Sequence, residues 1–114
     1  MIKPNAILEI NKKNIIYNYK LLSKFANKSI TAATIKANAY GLGDIEVLNI
    51  LKKKGCNHFF LATTEEAIRI RKIDNKVILY VLNGLEKNKL DIFKKYKLIP
   101  ILISNEEVIL YLKS

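Results

Sequence analysis

Short apolar runs alternate along the chain with segments in which apolar residues recur every three or four positions. The runs are typical of strands covered on both faces, and they begin near residues 30, 58, 77 and 98. Each is followed by a segment with helical periodicity, so the pattern predicts βα units around a parallel sheet. A shorter apolar run at residues 6–10 predicts an additional opening strand, with a helix after it.

The predicted helices carry end signals as well as the right period. Asn11 is placed to cap the first helix, and Asp44 is placed to cap the helix after the first long apolar run. Residues 63–66 and 104–107 match capping boxes, in which a hydroxyl and a glutamate three residues later satisfy free N–H groups. Gly55 fits the stop of the second helix.

Four βα units leave two architectures open. A closed barrel of eight such units needs about 250 residues, and this chain has 114. The pattern therefore predicts either the first half of a barrel or a small open sheet. Pro100 in the fourth run argues against a fully paired central strand. We find no linker, low-complexity tract or second domain.

The charge of the chain raises the question of nucleic-acid binding. The net charge is +10, but only Arg69 and Arg71 among the 20 basic residues are arginines, and base recognition relies on the guanidinium fork. The lysines are spread mostly over positions where helices face water. We therefore favour a solvated basic surface over a nucleic-acid site.

Other function classes are bounded by what the sequence contains. No apolar run approaches the roughly 20 residues of a membrane span, and the N-terminus does not resemble a signal peptide, so we expect a cytoplasmic protein with no membrane partner. The single cysteine, Cys56, cannot form an intramolecular disulfide, and no Cys/His cluster has metal-ligand spacing. We predict a buried structural thiol and no metal site.

Residues 34–44 contain the lysine whose position is hardest to explain as ordinary surface. Lys36 ends the first long apolar run, and a turn with Gly41 and Gly43 follows it. In βα folds, ligands meet the carboxyl ends of the strands. Two interpretations are open: a neutral amine that condenses with an aldehyde, or an ammonium group carried to the rim by its flexible stem.

Residues 36–43, Lys-Ala-Asn-Ala-Tyr-Gly-Leu-Gly, resemble the pyridoxal-phosphate attachment motif of alanine racemases. Residues 6–10 resemble the opening strand of that family, residues 64–67 with Arg71 resemble its third-helix pattern, and residues 77–82 with Gly84 resemble its third barrel strand. The resemblance covers nearly the whole chain without large insertions. Leu42 departs from it, since many members have histidine there.

The resemblance implies a fold and a domain arrangement. The expected fold is a partial TIM (β/α)8 barrel of class α/β, made of roughly the first four βα units and preceded by a short strand and a helix. Residues 1–114 would form an incomplete N-terminal barrel domain, and the C-terminal β domain of the family is absent from them.

The resemblance also implies roles for three residues. Lys36 would hold pyridoxal 5'-phosphate as an internal aldimine and act as one of two bases that move the α-proton of alanine. Tyr40 would donate its hydroxyl to the cofactor phosphate, and Leu82 would line the pocket by the pyridine ring. Without the resemblance, Tyr40 would be interpreted as an aromatic residue at the rim with its hydroxyl in water, and Leu82 as an ordinary core leucine.

The implied function is racemisation of L-alanine to D-alanine for peptidoglycan precursors, in a homodimer whose partner subunit contributes a tyrosine as the second base. With one base and an unclosed barrel, the 114-residue chain is expected to be inactive or very weak alone. Two alternatives stay open: a non-catalytic pyridoxal-phosphate-binding barrel protein, and a degenerate racemase fragment.

Overall fold

The computed structural model describes the whole chain, residues 1–114, and contains one parallel sheet whose four strands lie in sequence order. The strands are β1 (Ala33–Thr34), β2 (His58–Leu61), β3 (Ile78–Val81) and β4 (Leu98–Pro100). The helices are α1 (Lys12–Ala26), α2 (Lys36–Tyr40), α3 (Asp44–Lys52), α4 (Thr64–Ile73), α5 (Leu90–Tyr96) and α6 (Asn105–Leu112), with a 3-10 turn at Lys87–Lys89 before α5. The prediction of four βα units around a parallel sheet is confirmed.

One face of the sheet is covered by helices and forms the core. Alternate residues on this face, with Ile35 directly after β1, are almost completely buried: Ile35, Phe59, Leu61, Leu79 and Val81. They pack in one cluster with apolar side chains of α3, α4 and α5, as expected for helices that cover a parallel sheet. Burial of this face is therefore the main source of stability.

The opposite face of the sheet remains open. The strand register places Thr34, Phe60, Tyr80 and Ile99 in one row across it. The rings of Phe60 and Tyr80 stack with centroids 4.5 Å apart, and the Tyr80 hydroxyl lies 2.9 Å from His58 Nδ1. Because Thr34 and Ile99 are exposed, the row is an apolar and aromatic surface in contact with water.

Most of the predicted helix signals are present in the structure. Asn11 Oδ1 accepts a hydrogen bond from the Asn14 N–H at 3.1 Å, and the capping box of Thr63 and Glu66 is complete. In the second box, Ser104 Oγ accepts from the Glu107 N–H at 3.2 Å. The carboxylate of Glu107, however, accepts from the N–H of residue 103 rather than that of Ser104.

Two strand predictions are corrected by the structure. Residues 6–10 form no strand, and Ile7 and Leu8 are 78% and 72% exposed. A strand is stable only when a neighbour pairs with its backbone, and no strand of the sheet pairs with this segment. β1 is also shorter than predicted, because Ile35, with ψ 21°, leaves the extended conformation. Lys36 therefore lies two residues beyond the strand.

Cys56 is completely buried, which confirms the prediction of a buried thiol. Its Sγ donates to the carbonyl of His58 at 3.5 Å. Burial raises the pKa of this thiol, against the opposing effect of its hydrogen bonds, so the reactive thiolate is disfavoured. None of the helices is both long and apolar enough to cross a membrane.

Arg71 joins the backbone segments that precede β3 and β4. Its guanidinium donates to the carbonyls of Tyr96 at 2.8 Å, Val77 at 2.8 Å, Lys97 at 3.1 Å and Asp74 at 3.3 Å. Burial lowers the pKa of Arg71, partly offset by the charge of Asp74, but an arginine remains protonated in proteins. One side chain thus satisfies four carbonyls at the entries to β3 and β4.

We expect Arg71→Met to lower the free energy of unfolding by about 2–4 kcal/mol, because the four carbonyls lose a charged donor that methionine cannot replace. Urea denaturation monitored by circular dichroism measures the change. Lys72→Met at the exposed neighbouring position is the control and should change the free energy by less than about 0.5 kcal/mol. Equal effects of the two substitutions would contradict this role of Arg71.

Candidate functional site

The three residues predicted for the site lie at the carboxyl edge of the sheet. Lys36 and Tyr40 are the first and last residues of α2, which follows β1. Leu82 directly follows β3, and its N–H extends the ladder by donating to the carbonyl of Leu61 at 2.9 Å. β2 lies between β1 and β3, so the two sides of the site are roughly 10 Å apart.

Lys36 is half-buried, and its amine is not engaged by any carboxylate. The ion pairs of the chain are formed instead by Lys52, Arg69 and Lys89. Tyr40 is 65% exposed, and Leu82 is half-buried. The edge therefore presents an amine, a phenol and an apolar side chain, none of which is fully buried.

The backbone after Lys36 has an unusual conformation. Ala37, Asn38, Ala39 and Tyr40 have φ angles of 50°, 54°, 52° and 55°, which makes α2 a left-handed turn built without glycine. Each such residue costs about 1–2 kcal/mol relative to the right-handed form. Strain of this kind persists only where the surroundings enforce it, and it is concentrated at functional sites.

Local contacts hold part of this turn. The Ala39 N–H donates to the carbonyl of Ile35 at 3.0 Å, and the Gly43 N–H donates to the carbonyl of Asn38 at 2.9 Å. The side chain of Ala39 is only 4% exposed and belongs to the core cluster. Gly41, with φ 92°, continues the positive φ values at a position where glycine has no steric penalty.

The far end of the turn is held by Asp44, whose buried carboxylate pairs with a half-exposed arginine. The Asp44 N–H donates to Asn38 Oδ1 at 3.1 Å, and the carboxylate of Asp44, with 3% of its side chain exposed, pairs with Arg69 of α4. Asp44 was predicted as the cap of α3, but the cap position is Gly43. The carboxylate instead joins α3 to α4 and accepts from the N–H of the next residue at 2.8 Å.

Glu66 holds the near end of the turn. Its Oε1 accepts from the Ala37 N–H at 3.1 Å. Its Oε2 accepts from the N–H groups of Ala62 at 2.8 Å and Thr63 at 3.4 Å. One carboxylate therefore joins the peptide that follows Lys36 to the end of β2.

Two contacts of the candidate site were not predicted from the sequence. The match of residues 63–66 to a capping box indicated the local bonds of Glu66 but gave no sign of its bond to Ala37, which lies 29 positions earlier. The pairing of Asp44 with Arg69 was also missed, because Asp44 has a simpler local explanation as a helix cap. The available signal for the turn was Asn38, a residue type that tolerates positive φ.

Comparison with known proteins gives consistent results at the level of family and fold. The family described as "Alanine racemase, N-terminal domain" matches residues 10–113. The alanine racemase of Rickettsia prowazekii (strain Madrid E) is 36% identical over 107 residues, which are 93% of this chain and 26% of that protein. The alanine racemase of Aquifex aeolicus (strain VF5) is 37% identical over 92% of this chain and 31% of its own length.

A solved structure gives the same result for the fold. The alanine racemase of Bartonella henselae, solved with covalently bound pyridoxal phosphate, superposes with a TM-score of 0.84 at 30% identity. The match covers 91% of this chain and 29% of that protein. The chain thus spans between a quarter and a third of the length of these relatives.

We expect Ala37→Gly to raise the free energy of unfolding by about 0.5–1 kcal/mol, because relief of left-handed strain exceeds the added chain entropy of glycine. Ala37 is exposed, so little packing is lost. Lys20→Gly at an exposed position within α1 should have the opposite effect, a loss of about 1 kcal/mol. Urea denaturation compares them, and destabilisation by both would show that Ala37 is not left-handed in solution.

Proposed function

The chain belongs to the family of alanine racemase N-terminal domains, and from this premise we propose that it is the cofactor-carrying part of a pyridoxal-phosphate-dependent racemase that interconverts L- and D-alanine. The observation that carries the proposal is the placement of Lys36, an amine with no ion-pair partner, beside a strained turn at the carboxyl edge of a parallel sheet. This edge is where barrel folds perform chemistry.

The residues at this edge are compatible with pyridoxal phosphate. Lys36 would hold it covalently, since the residue is only half-buried and no salt bridge must be broken to free its amine. Tyr40 would donate its hydroxyl to the phosphate, and the exposure of this side chain leaves the hydroxyl available. Leu82 would form an apolar wall beside the ring. Pyridoxal phosphate, when bound, supplies a sink for the negative charge that develops at the substrate α-carbon.

Lys36 would have a second task once its amine is released. Its Nζ would take a proton from, or return one to, the α-carbon of alanine on a single face. Racemisation requires transfer on both faces, and our proposal assigns the other transfer to a tyrosine of the partner subunit in a homodimer. The family resemblance further supports a cytoplasmic reaction that supplies D-alanine for peptidoglycan precursors.

We expect pyridoxal phosphate followed by sodium borohydride to modify Lys36 in preference to the other lysines, because a rigid turn holds this amine at the carboxyl edge. Peptide mapping by mass spectrometry gives the share of adduct at each lysine. Lys36→Arg should remove the preferred adduct, whereas Lys97→Arg, at another position of positive φ, should leave it unchanged. Adduct spread over surface lysines without preference would remove the case for Lys36.

We also expect the purified 114-residue chain to racemise alanine at no more than a background rate, because one base serves only one face of the α-carbon. The measurement is the appearance of D-alanine from L-alanine with added pyridoxal phosphate, compared with the Lys36→Arg chain. An ordinary enzymatic rate, on the order of 1 per second or more, would contradict the assignment of the second base to a partner. That result would not contradict the proposed binding of pyridoxal phosphate at Lys36.

A further inference from the structure

We propose that Glu66 is a positioning residue for Lys36: its carboxylate ties the peptide that follows Lys36 to the end of β2 and so sets the direction in which the lysine side chain leaves the sheet. The inference rests on the proposed function in one respect, namely that Lys36 is the residue that binds pyridoxal phosphate. The Glu66 side chain forms no ion pair with the Lys36 amine and no hydrogen bond to Tyr40 or Leu82. Its effect would pass through the backbone.

The bonded N–H group is the one that controls Lys36 most directly. Ala37 N–H belongs to the same planar peptide unit as the Lys36 carbonyl. A hydrogen bond that fixes this N–H therefore also fixes the carbonyl, and it limits the ψ angle of Lys36. Since ψ and φ set where the Cα–Cβ bond points, the bond from Ala37 to Glu66 Oε1, at 3.1 Å, constrains the root of the side chain.

The Glu66 side chain is also held by hydrogen bonds within its own βα unit. The Glu66 N–H donates to Thr63 Oγ1 at 3.2 Å, and Oε2 accepts from Ala62 and Thr63. Glu66 also lies in the first turn of α4, where the helix dipole favours a negative charge. The end of β2 and the start of α4 thus form a rigid base, and Oε1 is the one oxygen directed at the neighbouring unit.

The strain of the turn explains why such a bond is needed. Ala37 is the first of the left-handed residues, and its N–H has no hydrogen-bond partner in the chain other than Glu66. Without that bond, the first residue of the turn could relax toward the preferred right-handed region. Lys36 would then sample several directions, and fewer molecules would present the amine correctly to the cofactor.

The chain contains a matched control for this contact. Glu107 occupies the same position in α6 as Glu66 does in α4: its N–H donates to Ser104 Oγ at 3.2 Å, and its Oε2 accepts from the N–H four residues earlier at 2.8 Å. Its other oxygen forms no hydrogen bond to the preceding βα loop. Both glutamates therefore accept from the N–H four residues earlier, but Glu66 alone also accepts from the N–H of its cap residue, weakly at 3.4 Å, and from Ala37.

The decisive variants are Glu66→Gln and Glu107→Gln. Glutamine is accepted in capping boxes, so both variants keep a local cap. It has only one acceptor oxygen, however, and cannot accept from Ala37 and Ala62 through two different oxygens. We expect Glu66→Gln to lower the share of borohydride-trapped pyridoxal phosphate on Lys36 by roughly tenfold, the size expected for loss of a hydrogen bond to a charged group. Glu107→Gln should leave it unchanged.

A second measurement begins with the unmodified chain, so its first result does not depend on the folding of a variant. Hydrogen exchange of the Ala37 amide in the unmodified chain should be slowed at least about tenfold relative to an unstructured peptide, as expected for a hydrogen-bonded N–H. In Glu66→Gln this protection should fall, while protection of the core amides of β2 and β3 persists. Exchange of Ala37 at the unstructured rate in the unmodified chain would overturn the inference.

The outcomes separate the two proposals. If the unmodified chain shows no preference for Lys36, the proposed function fails, and the positioning role fails with it. If the unmodified chain and Glu66→Gln label Lys36 equally, only the positioning role is overturned. If Glu107→Gln lowers the labelling as much as Glu66→Gln does, capping alone accounts for the effect, and the bridge to Ala37 is again overturned.

Discussion

Parallel pairing is the constraint on which the other features of the chain depend. In a parallel sheet every strand runs in the same direction, so each connection must return along a helix, and all carboxyl ends meet at one edge. Helices α3, α4 and α5 cover one face, where Phe59 and Leu79 are completely buried. The same geometry brings the turn after β1, the capping box after β2 and Leu82 after β3 to a common edge.

The strained turn illustrates how neighbouring units stabilise one another. α2 alone could not keep four left-handed residues, at about 1–2 kcal/mol each. Its near end is held by Glu66 of the second unit, and its far end by Asn38 and Asp44, whose carboxylate is in turn paired with Arg69 of that unit. Two side chains of α4, three positions apart, thus hold both ends of the segment that begins with Lys36.

The sequence was sufficient for features that depend on neighbouring residues. Alternating periods predicted the four units, and the pattern at residues 63–66 predicted a capping box that the structure contains. The prediction from sequence failed at residues 6–10, where apolar composition indicated a strand but no neighbouring strand provides the hydrogen bonds. Alanine carries no sign of a left-handed conformation, so the backbone of Ala37 and Ala39 depends on tertiary contacts that local patterns do not encode.

The two faces of the sheet have different roles: one carries the hydrophobic core, and the other is open to solvent and to ligands. The covered face is closed by the core cluster, so motions of the strands are resisted from that side. On the open face, Phe60 and Tyr80 are paired across β2 and β3, close to the carboxyl edge. Their stacked rings form a small aromatic surface rather than a second core. A ligand reaching Lys36 from the open side would therefore meet a backbone already fixed from behind. A fixed backbone at Lys36 and an open sheet face are compatible, because the backbone is held by α4 and the core cluster while the opposite face of the strands is left uncovered.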